Sequence, residues 1–175
     1  MDKVSPIDGD CGRLCKSACC DNDAASAKSP QSRFGMYLLP GEDKLFTRKE
    51  PWLTWSVEKA ENYAYPGSWS GNVYFVQCKG ASECDRAMRP IQCRSFPLAP
   101  YIDNEGLLRL ILYPGKLAYD CPLISQRLPL NRNFITATYT VWKRLIRDPL
   151  IRDYVKMDSQ RYGLSSDDLE RFLVV

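Results

Sequence analysis

Histidine is absent from all 175 residues. Its absence removes the commonest general base, the ligand sets of most zinc hydrolases and every mixed Cys/His finger. Long apolar runs are missing too. The most apolar stretch, Leu107-Leu108-Arg109-Leu110-Ile111-Leu112-Tyr113, is short and broken by an arginine, so no membrane span is expected. The segment Met1-Asp2-Lys3-Val4-Ser5-Pro6-Ile7-Asp8-Gly9-Asp10 carries acids and a proline where a secretory signal needs an apolar stretch. No phosphate-binding glycine loop occurs. Neither sign of charge is in large excess: 24 Lys and Arg face 21 Asp and Glu, a formal net charge of +3. Net charge therefore gives little support for nucleic-acid binding. The expectation is a cytoplasmic chain with no membrane or nucleic-acid partner.

Cysteine is abundant, with 8 residues. Thiols in the cytoplasm are kept reduced, so a cysteine-dense chain there points to metal ligation or redox chemistry rather than disulfides. Without histidine, a zinc or iron site has to be built from sulfur, and soft thiolates select zinc, copper(I) or iron–sulfur clusters. A divalent ion held by four thiolates carries about −2, which brings a loaded chain near or below neutrality.

At 45% apolar residues, the chain has the composition of a packed α+β domain. Asp21 to Ser32 reads as loop, and Phe34 to Leu39 as an extended segment ending at Pro40-Gly41. Thr47 to Tyr63 is expected to be helical, with Pro51 in its first turn and Trp52, Trp55 and Val57 on one face. Gly67 to Gly71 is a turn. Asn72 to Gln77 reads as a strand that delivers Cys78. Leu98–Ile102 and Leu107–Tyr113 read as a hairpin across Asp103-Asn104-Glu105-Gly106. Asn131 to Arg147 has helical apolar spacing, and Pro149 opens a second helix to about Met157. Ser165-Ser166-Asp167-Asp168 caps a last short helix with Leu169, Phe172 and Leu173. The expected division is a cysteine-cluster domain over 1–126 and a helical extension over 127–175, packed on it or serving a partner. The small antiparallel sheet would carry its cysteines on loops.

Cys11, Cys15, Cys19 and Cys20 form a tight N-terminal group; Cys78, Cys84 and Cys93 form a central one, followed by Cys121 in Asp120-Cys121-Pro122. A helix through the first group turns Cys11, Cys15 and Cys19 to one face, with Cys20 about 100° from Cys19. Adjacent cysteines do not easily serve one ion: either one is a bystander or the two face neighbouring centres. Ala18 stands where a radical S-adenosylmethionine enzyme needs its third cysteine, which argues against that cofactor. Arg89 and Arg94 are placed to donate charge-assisted hydrogen bonds to thiolates or to pair elsewhere.

The run ending in Cys19-Cys20, then Cys84, Arg89-Pro90 and Cys93-Arg94-Ser95-Phe96-Pro97, then Cys121-Pro122, resembles the zinc- or iron-chelating CxxCxxCC family, also called the YkgJ-like cysteine-cluster family. The likeness spans about residues 11 to 122. It implies Cys11, Cys15, Cys19, Cys20, Cys84, Cys93 and Cys121 as ligands, with Cys78 matching a cysteine often found before the central motif. The first two spacings here are three residues rather than two. Some flagellin lysine methylases resemble the family in these motifs, which implies an enzymatic alternative.

The resulting expectation is a metal-binding protein that chelates zinc or an iron–sulfur cluster, with an unspecified protein or redox partner. The alternative is a redox or methyl-transfer enzyme acting on a protein, with a thiolate at Cys19 or Cys20 assisted by Arg94. A third expectation makes Trp52, Trp55, Tyr63, Tyr65 and Trp69 a stacking surface; otherwise they belong to the core.

Overall fold

A computed structural model describes residues 3–20 and 35–175. The loop expected over 21 to 32, and Phe34, lie outside them. Among the described residues the architecture is α+β: two small antiparallel sheets and six helices, the longest in the C-terminal third.

The three-stranded sheet is ordered β1 (Gly35–Tyr37), β3 (Asn72–Cys78), β2 (Leu53–Lys59). β2 overturns the helix expected over Thr47 to Tyr63. Its side chains alternate: Leu53, Trp55 and Val57 interleave with Thr54, Ser56 and Glu58, a period of two that fits a pleated strand. Full pairing with β3, from Leu53 opposite Cys78 to Lys59 opposite Asn72, outweighs the weak helical pattern. Pro51 and Trp52 form the turn before it, where Leu53 N donates to Glu50 O at 3.2 Å. β3 ends on Cys78, the residue that the sequence sets at the strand's end. Gly35 allows a close approach, since a Cβ there would stand 2.4 Å from Phe75 Cζ.

The expected hairpin is present as β4 (Leu98–Ile102) and β5 (Leu108–Leu112). Asp103 closes its turn: Oδ1 accepts from Glu105 N (3.0 Å) and Leu107 N (2.8 Å), and Oδ2 from Arg109 Nε (2.8 Å).

Of the helices, α1 (Gly12–Cys15), α2 (Ile91–Ser95) and α3 (Pro122–Ser125) are single turns in the cysteine-bearing part. α4 (Arg132–Leu145), α5 (Pro149–Arg161) and α6 (Ser166–Phe172) follow. Their starts are capped by side chains of Asn131, Asp148 and Ser165, which satisfy backbone donors at each N-terminus. α4 presents Phe134, Thr138 and Trp142, four residues apart, to a core shared with Leu98, Leu110, Ile151 and Val155. Full burial of a side chain such as Phe134 contributes about 1.5–3 kcal/mol. Ser159 of α5 accepts from Ile102 N (2.9 Å), joining the helix to the hairpin.

The aromatic residues considered as a stacking surface are mostly packed inward. Trp52 and Trp69 are buried, and Trp69 lies between Tyr65 (centroids 4.9 Å) and Tyr154 (5.2 Å) while donating to Leu150 O at 2.9 Å. Tyr63 is exposed. No helix among the described residues is long and apolar enough to cross a membrane.

Candidate metal centre

The N-terminal cysteines do not lie on one continuous helix. α1 stops at Cys15 because Lys16 (φ 52°) and Ser17 (φ 59°) take the left-handed conformation, and Ala18–Cys20 then forms a 3-10 turn. Asp10 anchors the start, with Oδ1 accepting from Gly12 N at 3.0 Å. Ser17 N donates to Gly12 O (2.8 Å) and Cys20 N to Ser17 O (2.7 Å). This reversal breaks the single sulfur face and leaves the vicinal Cys19 and Cys20 in contact, their Sγ atoms 3.8 Å apart.

Cys19 joins Cys11 and Cys15 around a small cleft whose other wall is Cys121, Tyr119 and Phe96. The space is about 20 Å³, room for a single small ion or water. Burial raises the Cys11 thiol, and the neighbouring Asp10, Cys15 and Cys121 add to it. Cys121 is buried at the start of α3; burial raises its thiol while the backbone N–H groups of Leu123 and Ile124 nearby pull the other way. Tyr119 is raised by burial and then by the sulfurs of Cys19, Cys121, Cys20 and Cys15 around it.

Cys20 faces the other way, toward the centre of the chain. Cys78 ends β3, Cys84 sits in the loop after it, and Cys93 lies on α2. Cys78 Sγ donates to Gly80 O at 3.5 Å and is also hydrogen-bonded to Cys84, which raises its own thiol. Cys84 is drawn down to about 6 by that thiol donor first and then by Arg89, whose Nε donates to Cys84 Sγ at 3.3 Å. Cys20 is drawn down to about 7, mainly by the Cys19 thiol and then by Arg89. Desolvation pushes Cys93 up to about 12, with Cys20 adding to it; its Sγ lies 3.6 Å from Met36 Sδ.

All eight cysteines are free of disulfides. Cys20 and Cys84 are therefore thiolate-prone sulfurs, each sharing a proton with a neighbouring thiol, and a soft cation is what such donors select. As they stand, no three Cys, Asp or Glu side chains among the described residues are gathered closely enough to hold a metal ion.

Of the two arginines singled out by sequence, Arg89 reaches a sulfur. Arg94 bonds to backbone instead, with Nε donating to Arg89 O at 2.6 Å and Nη2 to Ala87 O, and so braces the loop that carries Arg89. Sequence reasoning missed Asp10, Arg86, Tyr119 and Met36. Arg86 Nη2 donates to Asp10 Oδ2 at 2.6 Å, tying the N-terminal turn to the loop after Cys84. Only the position of Tyr119, two residues before Cys121, gave any signal.

No protein-family model, curated protein or solved structure matches this chain. The resemblance to the CxxCxxCC family rests on the cysteine, arginine and proline motifs themselves.

Proposed function

We propose that this chain is a metal-binding protein that holds zinc, or an iron–sulfur cluster, through its clustered cysteines, and that the metal fastens the N-terminal segment to the middle of the chain. The observation that carries this reading is that unbridged sulfurs from distant stretches lie near one another in a chain without histidine: Cys11, Cys15 and Cys19 share a cleft with Cys121, and Cys20, 3.8 Å from Cys19, backs onto the loop after β3. The donor chemistry fits. Thiolates are the soft ligands that zinc and iron–sulfur clusters take, and Arg89 supplies Cys84 with the kind of outer hydrogen bond that such sulfurs need. The likeness to the CxxCxxCC family points the same way.

Zinc is the metal we assign to the isolated protein. A four-sulfur zinc site is redox-silent and couples binding to folding. A tie between Cys15 and Cys121 closes a loop of about 100 residues, on the order of 4–5 kcal/mol in the chain-entropy account of cross-links. The test is elemental analysis and a thiol count on anaerobically purified protein, with melting followed before and after chelation. We expect bound zinc and a melting temperature that falls on metal removal, and likewise in the Cys84→Ser/Cys93→Ser double variant. A brown protein with labile sulfide assigns the cluster instead. Protein that carries no metal and melts unchanged after chelator treatment overturns the proposal.

A further inference from the structure

We infer that the eight thiols make two adjacent four-sulfur centres, one from Cys11, Cys15, Cys19 and Cys121 and the other from Cys20, Cys78, Cys84 and Cys93, joined at the Cys19–Cys20 peptide. The inference rests on the metal-binding reading and adds to it the number of ions and the ligands of each. The grouping departs from sequence order. Sequence alone gathers Cys20 with Cys11, Cys15 and Cys19, and leaves Cys121 with the central cysteines.

Three observations support the regrouping. First, the cleft at the N-terminal turn is lined by four sulfurs, Cys11, Cys15, Cys19 and Cys121, and not by Cys20. Second, the left-handed pair Lys16 and Ser17 swings the chain so that Cys20 approaches the loop after β3: a Cβ on Gly80 would lie 3.9 Å from Cys20 O. Third, the thiols' neighbours follow the same two sets, apart from Tyr119 on the wall of the first cleft, which Cys20 also reaches. Cys11 is faced by Cys15 and Cys121, and Cys121 by Cys15, whereas Cys78, Cys84 and Cys93 are each faced by Cys20 or by one another. The contact that joins the sets is the 3.8 Å approach of Cys19 and Cys20. Four thiolates complete the coordination of one zinc, so eight sulfurs divided in this way hold two ions.

The charge supports the same division. Each loaded centre carries about −2. Arg86 bonds to Asp10, the residue before Cys11, from the turn that follows Cys84, while Arg89 bonds directly to Cys84 in the second set.

The zinc-loaded full chain, kept reduced and free of oxygen, is titrated with a chelator while released cysteines are alkylated and mapped. We expect two zinc ions per chain and labelling in the two sets named above. The Cys19→Ser chain should keep one zinc and protect Cys78, Cys84 and Cys93; Cys20→Ser should keep one and protect Cys11, Cys15 and Cys121. The wild-type labelling decides the matter even if a variant fails to fold. A single zinc protecting members of both sets overturns the two-centre arrangement and leaves metal binding standing. No retained zinc, with all eight thiols labelled from the start, removes both.

Discussion

Trp142 Nε1 donates to Ser95 Oγ at 2.8 Å, and Ser95 Oγ in turn donates to Ile91 O at 2.8 Å. A helix of the C-terminal third is thereby bonded to the single helical turn that carries Cys93. Both residues are buried, so neither partner can exchange this bond for water. Ser95→Ala leaves the indole N–H without an acceptor, a loss of about 1–3 kcal/mol. Urea midpoints of Ser95→Ala, Trp142→Phe and the double variant test this, and the double variant should lose less than the two singles together. Strict additivity would mean that the bond contributes nothing.

Glu42 holds the other side of the same turn. Its Oε1 accepts from Ile91 N at 2.6 Å and its Oε2 from Leu39 N at 3.0 Å, while burial pushes its carboxyl above the ordinary value. Glu42→Ala removes both acceptors and is expected to cost about 2 kcal/mol or more. Glu42→Gln keeps one acceptor oxygen and should fall between. The ordering wild type, Gln, Ala in chemical denaturation is the check; Gln equal to Ala would show that one of the two bonds is idle.

These contacts could not be read from sequence. The hairpin, the three C-terminal helices and β3 were legible because each is written locally: an Asp-Asn-Glu-Gly turn, helical apolar spacing from Asn131 to Arg147, Pro149 opening the next helix, a cap at Ser165, a run of β-formers at Val73 to Val76. β2 was not, because Trp52 and Trp55 stand at a helical spacing of three while Leu53, Trp55 and Val57 alternate, and only the partner strand decides between the two patterns. For the candidate centre, the cysteines and Arg89 stood out by residue type. Their grouping did not, because it depends on a left-handed turn at Lys16 and Ser17, two residues with no glycine to announce it.

Arg89 is the polar group in contact with a cysteine sulfur at Cys84. Outer hydrogen bonds of this kind typically tune metal affinity by about 10–100-fold. Arg89→Gln should weaken zinc binding by a factor in that range, measured by competition with a chromophoric chelator. It should change the metal-free chain's denaturation midpoint much less. Unaltered affinity would assign Arg89 to the loop fold alone.

The hairpin turn gives a pH signature independent of sulfur. Burial raises the Asp103 carboxyl, but the Arg109 bond and the backbone donors outweigh it and leave it below its ordinary value of 3.8. A carboxylate depressed in the folded state contributes stability above its unfolded pKa and loses it as pH falls through the folded value. The stability advantage of wild type over Asp103→Asn should therefore be full at neutral pH and shrink below about pH 4. Denaturant midpoints of both proteins across that range test it; an advantage that is constant with pH would rule out the ionised turn.

The core of β4, β5, α4 and α5, with Leu110, Phe134, Trp142 and Val155 at its centre, contains no cysteine among its buried members. If the chain holds ions as proposed, stripping them would accordingly loosen one end while sparing the other. Such a demetallated population would keep most of its helical signal and its inaccessible tryptophan while its N-terminal thiols came free, a half-ordered molecule that refolds by docking its loose end onto a ready-made platform.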